Sequence, residues 1–152
     1  MARAQAPARK DYSWFTAITT RWSDNDIYGH VNNVIYYSYF DSVANRYLID
    51  KGGLDIHHGE TVGLVVNSGC DYYSPVAYPE PLEGALRVDR LGNSSVQYGI
   101  GIFREGDDQA CANGTFTHVF VDRGSSKPVP IPPRLREALL AIATVSATAG
   151  DS

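Results

Sequence analysis

With 152 residues, 43% of them hydrophobic and 20% charged, the chain has the make-up of a globular domain large enough to bury one core. A formal net charge of −4 leaves no basic surplus to meet nucleic-acid phosphate. No apolar run approaches the ~20 residues of a membrane helix, and the basic start MARAQAPARKDY lacks the apolar core of a secretory signal. The expectation is a cytoplasmic protein with neither membrane nor nucleic acid as partner.

Residues 1–11 are polar and Ala-rich and read as a flexible tail. Aromatic and β-branched residues from Trp14 to Trp22 predict a first strand, which ends in the Asp, Asn and Gly cluster of Ser23 to Gly29. A helix is predicted from about Asn33 to Asp50, with Asn32 or Asn33 as its N-cap and Gly52-Gly53 as its stop. Its apolar residues recur at helical spacing: Tyr36, Phe40, Val43, Ala44 and Tyr47. Because Ile35, Tyr39 and Leu48 add apolar surface elsewhere, the helix reads as buried on most sides.

Val62 to Tyr73 predicts a second strand, with Gly69 as a bulge. Leu82 to Leu91 and Ser95 to Arg104 alternate apolar and polar residues about a Gly92-Asn93 turn, the signature of a hairpin. Gln109 to Val121 is a fifth strand. A Pro-rich stretch then leads to a short amphipathic helix through Leu135, Leu139 and Ile142, and residues 144–152 read as a second flexible tail. The fold class is therefore α+β, in a single domain spanning 12–143. Five strands leave unpaired edges, so self-association is expected.

The chemistry gathers in one stretch, where Asp24 and Asp26 precede Gly29, His30, Asn32 and Asn33 at the start of the long helix. A carboxylate just before a helix N-terminus lies beside outward-pointing N–H groups, which can hold a developing oxyanion while the acid attacks or activates water. Asp26 is the candidate for that role, against the plainer reading of a loop acid facing the helix dipole. Asp24 competes with it, or serves as a turn residue bonding nearby N–H groups. His30 is either an acid/base or a turn residue bonding backbone, and Asn32 and Asn33 are caps or amides reaching substrate. No G-x-S-x-G elbow or Ser-His-Asp order is present. Cys70 and Cys111 stand far apart and read as reduced thiols; His57, His58 and Glu60 read as a solvated loop, so no metal site is expected.

The strand, the D-x-D-x-x-G-H-V-N-N-x-x-Y run at 24–36, the long helix and four further strands together resemble the hotdog-fold acyl-CoA thioesterases of the 4-hydroxybenzoyl-CoA thioesterase type. Tyr72-Tyr73-Ser74-Pro75-Val76, Leu91-Gly92-Asn93-Ser94-Ser95 and the closing Val119-Phe120-Val121-Asp122 with Lys127-Pro128-Val129-Pro130-Ile131-Pro132 extend that likeness over roughly residues 14–140. The resemblance implies a hotdog fold, an antiparallel five-stranded sheet wrapped around one long central helix. It also implies a homodimer or homotetramer with sites between subunits.

By the same resemblance Asp26 is the nucleophile or general base, with His30 and Asn33 beside it. Backbone N–H groups near Asn32-Asn33 polarise the thioester carbonyl, and Tyr36, Asn32, Ser94 and Ser95 contact substrate. Coenzyme A enters as part of the acyl-CoA substrate, and no separate cofactor is implied. His30-Val31-Asn32-Asn33 stands where benzoyl-type relatives carry more apolar or aromatic residues, which leaves the acyl group open. Three other activities stay open: cleavage of acyl-carrier-protein thioesters, enoyl thioester hydration, and acyl-thioester binding without turnover.

Overall fold

A computed structural model describes residues 5–144. Five strands, β1 (Trp14–Ile18), β2 (Thr61–Tyr72), β3 (Leu82–Leu91), β4 (Ser95–Arg104) and β5 (Ala112–Asp122), make one antiparallel sheet in the order β1-β3-β4-β5-β2. Helix α1 (Ile35–Asp50) packs along one face, and α2 (Pro133–Leu140) follows the last strand. This is the expected α+β hotdog arrangement.

Strand alternation decides which residues meet the helix. On β5, Ala112, Gly114, Phe116, His118 and Phe120 are buried, while Asn113, Thr115, Thr117 and Val119 between them are only partly so. From α1, Tyr36, Tyr39, Phe40, Val43, Ala44, Tyr47 and Leu48 enter the core. Two strand glycines make room for this face. A Cβ at Gly84 would collide with Val43, and one at Gly114 with the Phe40 ring. The helix is less enclosed than its composition suggests, because Ser38, Asp41, Ser42, Arg46 and Ile49 are exposed.

Element bounds differ from expectation in instructive places. β1 stops at Ile18, and Trp22–Asp24 forms a 3-10 turn because the Asp24 carboxylate accepts from the Arg21 N–H at 2.9 Å. The bulge of β2 falls between Val65 and Asn67, while Gly69 pairs regularly with Thr115. β5 begins at Ala112, since Gln109 bridges to Ala8 instead. α1 begins at Ile35, with neither Asn32 nor Asn33 as its N-cap.

Residues 5–11, expected to be a flexible tail, are instead bound to the outer face of the sheet. The Arg9 guanidinium lies 4.9 and 5.0 Å from the ring centres of Phe15 and Phe103 and pairs with Glu83 at 2.7 Å. The Arg9 N–H donates to the Asp108 carbonyl, and the Ala110 N–H donates to that of Pro7. Tyr12 completes the strap, buried with Ala85, Phe103 and Ala110 and donating its hydroxyl to Asn113. At the other end Thr144 donates its N–H to Val88, and the rest of the expected C-terminal tail, 145–152, lies outside the described residues.

β2 is an edge strand, and Leu64, Val65 and Val66 on it are 46%, 45% and 58% exposed. Among the described residues no helix is long and apolar enough to cross a membrane.

Candidate active site

The loop from Ser23 to Val34 is built on a buried acid. Asp24 is 1% exposed and accepts from the Arg21 N–H, from the Arg21 guanidinium at 3.0 and 3.2 Å, and from the Tyr39 hydroxyl at 2.8 Å. Burial alone would raise its pKa. The Tyr39 and Arg21 hydrogen bonds, with the Arg21 charge, outweigh that and hold the carboxyl below its ordinary value. Burial and the bond to Asp24 push the Tyr39 hydroxyl up.

Two residues on, Asp26 is half-buried in a tight turn. Its Oδ1 accepts from the Tyr28 N–H at 2.9 Å, its N–H donates to the His30 carbonyl at 2.9 Å, and its carbonyl accepts from the Gly29 N–H at 3.0 Å. Gly29 closes the turn at φ 83°, a backbone state that a side chain disfavours. The other carboxylate oxygen, Oδ2, takes no hydrogen bond among the described residues. Asp26 lines an open cleft of about 790 Å³ with Trp22, Asn25, Ile27, Tyr28 and Asn32.

The run into α1 commits its N–H groups selectively. Val31 donates to Val76 at 2.8 Å, Asn32 to the Asp24 carbonyl at 2.9 Å, and Ile35 to the Asn32 carbonyl at 2.9 Å. The Asn32 side chain takes the Val34 N–H at 3.0 Å. Of these five consecutive donors, only the Asn33 N–H meets no acceptor among the described residues. An open N–H at a helix start is a ready partner for an anion or a polarised carbonyl.

Asn33 also borders a second cavity of about 340 Å³, lined with Val31, Tyr36, Tyr72, Tyr73 and Ser74. The Tyr72 hydroxyl donates to the Asn33 carbonyl at 2.8 Å, and burial pushes the Tyr36 hydroxyl up to about 12. The helix start thus stands between an acid-bearing cleft and a tyrosine-lined one.

Asp26, Asn32, Asn33 and Tyr36 therefore gather around one turn. His30 belongs to it through its main chain, with its imidazole exposed. Ser94 and Ser95 do not join them within the chain. Ser95 pairs with Val119, whereas the helix start lies at the other end of the sheet, where Tyr72 pairs with Ala112 and Ala112 with Ile102. Ile102 lies seven steps along β4 from Ser95, a span of roughly 23 Å. Trp22, Tyr72 and Tyr73 line these cavities, although the sequence reading gives none of them a site role and quotes Tyr72-Tyr73 only as part of the family likeness. Their composition marks them as core or loop, and only strand pairing brings Tyr72 to the helix. His57 and His58 are exposed, with their N–H groups on Asp55, and no group of three or more His, Cys, Asp or Glu among the described residues could hold a metal ion. Cys70 and Cys111 are free thiols.

An acid and an open donor at a helix start, on this sheet, are matched by sequence: residues 20–139 fit the thioesterase-like superfamily, and the chain belongs to it. The PA5185 protein of Pseudomonas aeruginosa PAO1, known from its crystal structure, is 59% identical to it, with a TM-score of 0.91 over 93% of this chain and 99% of that one. The uncharacterized protein YsmA of Bacillus subtilis is 29% identical over 133 residues, 87% of this chain and 88% of its own. Slr0204, a 1,4-dihydroxy-2-naphthoyl-CoA thioesterase from Synechocystis, is 16% identical and shares the fold, with a TM-score of 0.74 over 83% of this chain and 94% of that one.

Proposed function

We propose that the protein is an acyl-CoA thioesterase of the 4-hydroxybenzoyl-CoA type, hydrolysing an acyl- or aryl-CoA to free acid and CoA. The observations that carry this reading are an Asp26 carboxylate with one oxygen left unbonded in an open cleft and an Asn33 N–H left open just before α1, on the same loop. The thioester oxygen meets the Asn33 donor, which strengthens its hold as negative charge develops. Asp26 then acts in one of two ways that give the same products. As nucleophile, its oxygen adds to the carbonyl carbon and expels the CoA thiolate, leaving an anhydride that water opens. As general base, it takes a proton from the water that adds.

His30 holds the Asp26 main chain through its carbonyl, Asn32 fixes the turn, and Tyr36 borders the acyl side. The working unit is a pair of chains joined along the open β2 edge.

The direct test is thiol release from aryl-, short-, medium- and long-chain acyl-CoAs by wild type and Asp26→Asn together. Release by wild type that falls about 10²-fold or more in the variant is expected for loss of a catalytic carboxylate. Equal rates for the two proteins would remove Asp26 from the chemistry. Solvent ¹⁸O appearing in the Asp26 side chain after a single turnover would select the nucleophilic route.

A further inference from the structure

The thioesterase reading uses Asp26 and leaves the other acid of the pair, Asp24, without a task. Burying a carboxylate is costly unless charge and hydrogen bonds compensate. Here they do so from two elements, because the Arg21 N–H and guanidinium come from the turn after β1 and the Tyr39 hydroxyl comes from α1. The main chain of the same residue adds a further tie, its carbonyl accepting from the Asn32 N–H. Asp24 is therefore fixed to Asn32, whose neighbour Asn33 carries the open donor, and it lies two residues before Asp26.

We propose that Asp24 is a positioning residue that sets the separation between the Asp26 carboxylate and the Asn33 N–H by locking the loop to α1 through Tyr39. The inference rests on the thioesterase reading of Asp26. It predicts that loosening the junction harms turnover without harming capture. The donors and the acid would all remain, but their spacing would vary, and displacements near 1 Å at a reacting centre cost about 10²-fold. A plain structural role predicts something different: a lower melting temperature with normal turnover well below it.

The experiment compares Tyr39→Phe, Asp24→Asn and Asp26→Asn with wild type, measuring kcat and KM on the best thioester of the panel at a temperature where each variant is folded by circular dichroism. Tyr39→Phe keeps the ring and deletes one hydroxyl, so it decides the matter if Asp24→Asn does not fold. The expected result is a fall in kcat of about 10-fold for Tyr39→Phe and about 10²-fold for Asp24→Asn, with KM within about twofold. A kcat within twofold of wild type in folded Tyr39→Phe, or a change confined to KM, overturns the proposal. Full activity in Asp26→Asn overturns the thioesterase role of Asp26 itself, which keeps the two failures distinct.

Discussion

The Tyr72 hydroxyl donates to the Asn33 carbonyl at 2.8 Å, joining the edge strand of the sheet to the turn that opens α1. This bond restrains the residue whose N–H is left open, while the Asp24 carbonyl holds its neighbour Asn32. Tyr72→Phe keeps the ring that packs edge-on to Tyr36 and deletes only the donor. A loss of about 1 kcal/mol in urea unfolding is expected for one hydrogen bond, together with a several-fold lower kcat. An unchanged kcat would show that the clamp supports the fold alone.

Gly114→Ala should be costly for a steric reason, since the new methyl would enter the space of the Phe40 ring, and Gly84→Ala would meet Val43 in the same way. Overpacking of this kind costs about 1–3 kcal/mol. Gly69→Ala is the comparison, because a Cβ there meets only Thr115 Oγ1 at 3.4 Å. Chemical denaturation of the three variants should separate the first two from the third.

His118 gives a pH signature. It is 2% exposed beside Phe116 and Phe120, its Nδ1 shares a 3.1 Å hydrogen bond with Tyr98, and burial pushes its pKa down to about 4. The unfolded chain takes up this proton near pH 6.5, whereas the folded chain resists until about 4. Between those values the unfolded state binds more protons, so stability falls as pH drops through that window and the loss levels off below it. The full effect is on the order of 3 kcal/mol. Replacing His118 with Gln should flatten the pH dependence of unfolding between pH 6.5 and 4, and a slope unchanged by the substitution would assign it to other groups.

The β2 edge predicts association. Its free side is twelve residues long, with Leu64, Val65 and Val66 exposed, and edges of this kind are commonly covered by another chain. Light scattering should report at least a dimer for wild type and a shift toward monomer for Val65→Lys. A wild-type monomer at micromolar concentration would refute the paired arrangement.

What the sequence makes legible depends on the range of the interactions involved. The bounds of β3 and β4 follow from residues adjacent in the chain, because alternation and the Gly92-Asn93 turn are local signals. The Arg9 strap is not local, since its stability comes from Glu83, Phe103 and Asp107, some 75 to 100 residues away, so a polar Ala-rich start reads as a tail. The same limit applies at the site. That an acid precedes a helix can be read directly, and Asp26, Asn32 and Asn33 follow from it. Which N–H stays open cannot be read, because it is decided by Val76 and by the Asp24 carbonyl taking the neighbouring donors. The burial of Asp24 likewise waits on Tyr39, fifteen positions on.

The two glycine notches under α1 act as detents. With Val43 over Gly84 and Phe40 over Gly114, the helix is indexed along its own axis and resists sliding in either direction. The address of its first turn, and so of the Asn33 N–H, is set from the middle of the sheet. A search for substitutions that lower the proposed activity should therefore find a second set of positions, remote from the site, that mistune it by moving the helix a fraction of an ångström.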